Sequence, residues 1–435
     1  MRIARHLPRF RRAEGELAEL AARERWSAAQ MRTFQLERLN ALWSHAAQHV
    51  PYYRALARER RLPPRFDSLD QYLSAMPILG KETLRHRSQE FVSAVAGPGK
   101  WRSTSGSTGV PMRFFASAPT HQAILRYQYR FRQAWGLELF DRSAFFGGGG
   151  PTRARRGLKA FASAAREAIT DRLRNRVRLP VHQMGSADLT RQLRRMERLR
   201  PTYLYGYSRA IHLLALEAAA RGFRCESLRV VMMTSEPAFP HMVAAVERAF
   251  RVPAVIEYGS TECGVTAYEW PDRTLRVRSD HVLMETVPRA DGRYDIVKTV
   301  LDNLDFPLLR YRIEDVTDAP LGATDEAFPT LLNVGGRNDD VLYAADATPV
   351  HPTEIDRIFE STDHPTVRRY RLHQSAQGDI LAQVEPIAGA RVDPAAIRAA
   401  ISRAVPGRGV RVELVANVPQ TSAGKHRPIT SDWRP

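Results

Sequence analysis

Apolar positions recur every three or four residues through residues 1–95, set among polar positions rich in Arg and Glu. That spacing predicts a run of helices, broken at Pro51, Pro63, Pro64 and Pro77. Tyr127–Trp135, aromatic and Arg-rich, reads as a further helix, and Gly147–Gly150 reads as a loop. Between 153 and 178, Leu158, Phe161, Ala165, Ile169, Leu173 and Val177 follow the helical period, predicting one amphipathic helix with an arginine face. From 228 onward the texture changes to short apolar runs separated by turns: Leu228–Met233, Ala254–Ile256, Leu275–Val277, Tyr294–Val300 and Leu331–Val334. These predict strands alternating with helices, an α/β pattern. The tail adds strands at Arg369–Leu372, Ile380–Val384 and Val410–Leu414 and a helix at Pro394–Ala404, enough for a small domain of its own.

A length of 435 residues fits two or three domains. Cys225 and Cys263 supply neither metal-ligand spacing nor a disulfide framework, which fits a reducing compartment. Met1–Arg25 is basic but lacks the apolar centre of a signal peptide, and no run approaches the roughly 18 apolar residues of a membrane span. The expectation is a soluble, cytoplasmic protein. The net charge is +18, and of 65 basic residues only five are lysine: Lys81, Lys100, Lys159, Lys298 and Lys425. In so arginine-rich a chain, a lysine at a chemically telling position carries information. Residues 153–200 hold fourteen basic and four acidic residues. This block reads either as a solvated surface or as a docking face for an acidic partner: a carrier protein, anionic lipid or nucleic acid. Nucleic acid has the least support, because no recognition motif accompanies the charge.

Five segments carry candidate chemistry. In Ser103-Thr-Ser-Gly-Ser-Thr-Gly-Val-Pro111, two glycines and several hydroxyls make a phosphate cradle without the lysine of a Walker A loop; a flexible turn would look similar. Tyr258-Gly-Ser-Thr-Glu262 follows an apolar run, where α/β folds bind ligands at a strand's carboxyl end. There Tyr258 suits stacking on a base and Glu262 suits Mg²⁺, the plainer reading being a strand followed by a helix capped by Thr261. In Pro307-Leu-Leu-Arg-Tyr-Arg-Ile-Glu-Asp315 the final carboxylate suits a grip on ribose hydroxyls, or a salt-bridged strand end. Gly336-Arg-Asn-Asp-Asp340 is a turn cluster at the proposed domain boundary. Thr421-Ser-Ala-Gly-Lys425 places one of the five lysines in a loop.

In this order the five segments resemble the adenylate-forming superfamily of acyl-CoA synthetases and adenylation domains. Within it the chain looks most like the phenylacetate–CoA ligase-like group, in the branch found in capsule-polysaccharide and natural-product loci. Further landmarks are Val50-Pro-Tyr-Tyr53, Pro77-Ile-Leu-Gly-Lys81, Arg200-Pro-Thr-Tyr-Leu-Tyr-Gly-Tyr207, Ser235-Glu-Pro237 and Asp280-His281. The resemblance implies an α/β fold with a large N-terminal adenylation domain, residues 1–338, and a small C-terminal α+β lid, residues 339–435. It implies activation of an aryl or compact carboxylic acid by ATP and Mg²⁺, release of pyrophosphate, and transfer of the acyl group to CoA or a carrier-protein thiol.

Residue by residue, the loop Thr104, Ser105, Gly106, Ser107, Thr108 and Gly109 would close over the β- and γ-phosphates. Ser235, Glu236 and Pro237 would line the adenine pocket, Tyr258 would stack on adenine and Gly259 would permit its approach. Thr261 would contact phosphate, Glu262 would bind Mg²⁺, and Asp315 with Arg337 would hold the ribose. Asp339 would be the hinge and Lys425 the catalytic cation between substrate carboxylate and α-phosphate. Tyr205, Tyr207, Ser208 and His281 are candidates for the acid pocket. A homodimer fits the group's habit.

Three departures matter. Val110 stands where relatives often carry lysine, and Glu314 adds a charge beside Asp315. Asp339–Pro352 contains no glycine, whereas CoA ligases of this group usually carry one where the pantetheine arm passes the backbone. The adenylation half-reaction therefore stands on firmer ground than transfer to CoA; an amine or other non-thiol acceptor is the enzymatic alternative. A non-catalytic basic scaffold is the alternative of another class, opposed by the joint presence of Glu262, Asp315, Arg337 and Lys425.

Overall fold

The computed structural model describes residues 8–103, 112–147, 168–181, 186–322, 326–332, 334–337, 342–350, 355, 358–359, 366–387, 389–418 and 428–433. The chain forms two compact units, Met1–Leu139 with Glu257–Val334, and Phe140–Ile256 with Gly335–Pro435. The first predicted element class holds: helices span Pro8–Arg23, Ala28–His49, Pro51–Glu59, Leu69–Ala75 and Lys81–Arg87. Ala28–His49 opens on a reciprocal capping box, in which Ser27 Oγ accepts from Gln30 N–H and Gln30 Oε1 accepts from Ser27 N–H. Pro51 starts the next helix at its first turn, where its missing N–H costs nothing. Two antiparallel strands, β1 (Gly99–Ser103) and β2 (Arg113–Ser117), lead into the helix Ala118–Ala134.

The second unit then begins with the α/β alternation. Strands β3 (Ser143–Phe146), β4 (Arg176–Leu179), β5 (Tyr203–Tyr207) and β6 (Val230–Thr234) pair in parallel in the order β4-β3-β5-β6. Helices Ser186–Leu199, Ser208–Ala220 and Pro240–Phe250 intervene. Phe146, Leu204, Leu214, Val231 and Met242 centre an apolar core here. Val177 sits on β4, so the predicted amphipathic helix stops short of it: helix persists over 168–173 and a turn follows. The rest of that segment, 153–167, lies outside the described residues.

Strand β7 (Ala254–Ser260) carries the chain back into the first unit. The predicted alternation ends there. β8 (Gly264–Glu269), β9 (Leu275–Val277), β10 (Val282–Pro288), β11 (Tyr294–Val300) and β12 (Tyr311–Thr317) follow one another with no helix between them. They pair antiparallel as β7-β8-β9 and β10-β11-β12, because their connections are mostly tight turns. Leu331–Val334 is not the predicted strand; β13 begins only at Val334 and runs to Arg337. The N-terminal helices pack on these strands, with Trp43, Tyr53, Tyr72, Phe91, Ile296 and Tyr311 in one core. Tyr53 Oη donates to Pro307 O and accepts from Leu309 N–H, which ties the Val50–Tyr53 landmark to the loop before β12.

The tail of the second unit has its own core, among Leu342, Ile355, Leu372, Val384, Ile401 and Ile429. β14 (Leu342–Tyr343) and β15 (Pro349–Val350) form a hairpin. β16 (Val367–Gln374), β17 (Ile380–Pro386), β18 (Val410–Leu414) and β19 (Ile429–Ser431) form a sheet ordered β18-β17-β16-β19, with the helix Pro394–Ala404 beside β18.

Candidate functional site

The first unit gathers Tyr258, Glu262, Lys298, Tyr311 and Asp315. Tyr258 lies near the end of β7, and its Oη donates to Asp315 Oδ2 on β12 at 2.9 Å. After β7 the chain makes a hairpin turn rather than entering a capped helix: Ser260 pairs with Gly264, and Ser260 Oγ accepts from Cys263 N–H. This turn leaves Thr261 exposed and Glu262 buried at 8% exposure. Gly259 has a local reason to be glycine, since a Cβ there would lie 2.3 Å from Gly264 O and 2.6 Å from Val265 Cα. Glu262 Oε1 accepts from Tyr311 Oη at 3.3 Å. Burial, and then the Glu262 charge, push the Tyr311 phenol well above its ordinary range, so it remains a donor.

Lys298 was absent from the sequence candidates. It sits on β11, opposite Tyr311 in register, and is 0% exposed. Its Nζ lies 4.2 Å from the centroid of the Tyr258 ring and donates to Thr266 Oγ1 at 2.8 Å. Burial draws its pKa down, while the neighbouring Asp315 and Glu262 carboxylates act the other way. A signal was available: it is one of five lysines, and it interrupts the apolar face made by Ile296 and Val300 at strand spacing.

Glu314 does not compete with Asp315. Its carboxylate pairs with Lys81 Nζ, and Lys81 is itself buried. Leu79 makes this possible by pairing with β12, donating to Arg310 O and accepting from Arg312 N–H.

His281 lies behind Glu262. A narrow cleft is lined by Thr120, Ile124, Glu262, His281, Asp302 and Asn303. Both ring nitrogens of His281 meet protein atoms, Nδ1 facing Asp302 Oδ2 at 3.0 Å and Nε2 facing Cys263 O at 3.3 Å. Burial, with the Glu262 charge second, pushes the Cys263 thiol up to about 12, so it is a neutral thiol at pH 7.

The second unit brings together another set. Tyr205 and Tyr207 lie on β5, and Ser208 opens the following helix fully buried. Ser208 Oγ donates to Glu236 O at 3.0 Å, and Arg209 N–H donates to Glu236 Oε2 at 3.1 Å. Ser235, just past β6, holds a left-handed φ of 68° before Glu236 and Pro237. Gly206 is required by packing, because a Cβ would fall 1.9 Å from Phe146 O. Arg337 ends β13. Thr104, Ser105, Gly106, Ser107, Thr108, Gly109, Asp339 and Lys425 lie outside the described residues.

Comparison with known proteins points one way. No protein-family model matches the chain. It is 26% identical over 366 residues to a phenylacetate–coenzyme A ligase of Pseudomonas putida, covering 79% of this chain and 78% of that one. It is 26% identical over 363 residues to a phenylacetate–coenzyme A ligase of Thermus thermophilus, covering 76% and 75%. Among solved structures, 2-hydroxyisobutyryl-CoA ligase in its postadenylation state, bound to an acyl-AMP, superposes with a TM-score of 0.72 at 20% identity over 94% of this chain and 91% of that one. The chain is thus similar over most of its length to phenylacetate–CoA ligases and shares the mixed α/β fold of 2-hydroxyisobutyryl-CoA ligase.

Proposed function

We propose that the protein is an AMP-forming acid–thiol ligase. It would join a compact or aryl carboxylic acid to the α-phosphate of ATP, release pyrophosphate, and hand the acyl group to a thiol. The observation that carries this reading is the Tyr258–Asp315–Glu262 group, in which an aromatic ring, a ribose-type carboxylate and a metal-type carboxylate come from two separate motifs. A scaffold has no use for that combination.

In this reading Tyr258 stacks on adenine, Asp315 with Arg337 holds the ribose, and Ser235, Glu236 and Pro237 line the base. Thr261 and the 104–109 loop hold phosphate. Tyr205, Tyr207 and Ser208 border the acid. Residues 339–435 act as a lid on a hinge at Asp339, bringing Lys425 to the α-phosphate. Two anions must meet there, and a cation in a dried site stabilises the charge that builds on phosphorus.

Mg²⁺ fits Glu262. Among the described residues no three His, Cys, Asp or Glu side chains form a metal cage. Mg²⁺ is ordinarily held by one or two carboxylates together with substrate phosphates, and Glu262 is a buried carboxylate on a cleft wall. Bound there, the ion would offset phosphate charge.

One observation favours a second reading of the acceptor step. Where CoA ligases of this group usually carry glycine, the β14–β15 turn of this chain holds Ala347 at a φ of 67°. Its backbone lies in the left-handed region that favours glycine, yet it carries a Cβ, which would narrow a close ligand approach. A carrier-protein thiol or an amine then replaces CoA.

The test is pyrophosphate release with ATP, Mg²⁺ and a panel of acids, with and without CoA. Acid-dependent release should fall on the order of 10²–10³-fold in Lys425→Ala. Wild-type protein that binds no ATP would return the scaffold reading.

A further inference from the structure

Lys298 is costly where it stands. Among the described residues its ammonium makes one hydrogen bond, to Thr266 Oγ1, and full burial costs it hydration. The carboxylates of Asp315 and Glu262 act on the charge through space, and the Tyr258 ring lies 4.2 Å from it. That ring is therefore held at two points, by the ammonium against one face and by Asp315 at its hydroxyl. A cation on one face of an aromatic ring also draws electron density from the other, which then repels an electron-rich purine less.

Resting on the nucleotide reading above, we infer that Lys298 is a positioning residue: it clamps and polarises the Tyr258 ring as the stacking plane for adenine. Through the ring the ammonium bears more on the base than on the ribose and phosphate, which other groups contact directly.

The experiment compares binding of AMP and of ribose 5-phosphate to the full chain, by calorimetry. Lys298→Met should weaken AMP about tenfold to thirtyfold, the scale of a desolvated cation–π contact. Ribose 5-phosphate should change less than twofold. In a Tyr258→Leu background, Lys298→Met should add nothing to the loss of AMP binding. Should Lys298→Met not fold, Lys298→Gln, which keeps a donor for Thr266, carries the same comparison. Equal weakening of both ligands would reduce Lys298 to a structural residue and overturn the inference, as would unchanged AMP affinity or additive losses with Tyr258→Leu. Wild-type protein that binds neither AMP nor ATP overturns the nucleotide reading itself, and the inference with it; wild-type AMP binding with indifferent Lys298 variants overturns the inference alone.

Discussion

The two units bury their ionisable groups differently around their main sheets. In the first, charges enter the core and are paired. Arg278, 1% exposed, bridges Asp280 and Glu24. Asp302 receives Tyr127 Oη at 2.7 Å and Arg38 at 2.8 Å, and faces His281 and Arg126. In the second, the centre of the parallel sheet is apolar, with every residue of β6 buried, while Arg176 and Arg178 on the edge strand β4 pair with Asp171. Its most perturbed group, His212, is kept neutral: burial, then the neighbouring His241 and Arg209, draw its pKa down to about 3.

The comparison is broken most directly at Asp302. Asp302→Ala leaves Arg38, Arg126 and His281 facing an empty position, and should destabilise the first unit by about 3–5 kcal/mol in urea unfolding. If the loss is below about 1 kcal/mol, the buried charges are not structural. In the second unit the equivalent loss should come from an apolar truncation. Leu204→Ala, at 0% exposure on β5, should cost about 3 kcal/mol, read as faster hydrogen exchange confined to β3, β5 and β6.

Acid should separate the units next. The lowered pKa of His212 means that the unfolded state binds its proton near pH 6.5 while the folded state does not until about pH 3. Its contribution is intact above pH 6.5 and is lost as pH falls toward 3. The side chain is only partly buried, so solvent reduces the effect to about 1 kcal/mol between pH 7 and 5, absent in His212→Leu. Asp302 behaves differently. Burial alone would raise its carboxyl, but the hydrogen bond and charge of His281, with Arg126, hold it well below the usual carboxylate range. Its contribution therefore persists through pH 5 and is lost only in stronger acid. Equal acid sensitivity of both units between pH 7 and 5 would erase the contrast.

The smallest effect concerns the tail. Ala347→Gly should stabilise the chain by about 0.5 kcal/mol, the relief of a left-handed alanine less the added freedom of the unfolded glycine. The same variant sharpens the acceptor question. Thioester formation with CoA should rise in it if the Cβ obstructs the approach.

Much of the fold was legible where the local pattern and the final environment agree. β11, β18 and the helix Pro394–Ala404 fall on their predicted bounds. The parallel strands β3, β4 and β5 were not read, since their aromatic and arginine content hides the apolar run. Val177 kept the helical period by chance and became a strand residue, because its neighbours in β3 supply the pairing. The motifs at Tyr258–Glu262 and Pro307–Asp315 were readable as chemistry, yet neither segment alone discloses that Tyr258 donates to Asp315.

Residue types and their order determined the resemblance, the α/β class and the list of candidate nucleotide-binding groups, because these depend on short segments. Tertiary structure decided how their charges are settled. Lys81 neutralises Glu314 across 233 positions, Lys298 lies beneath Tyr258 forty positions away, and His281 has both nitrogens turned to protein atoms. Charge and ring contacts act over a few ångströms of space irrespective of distance along the chain, so these pairings existed only once the strands had found their register.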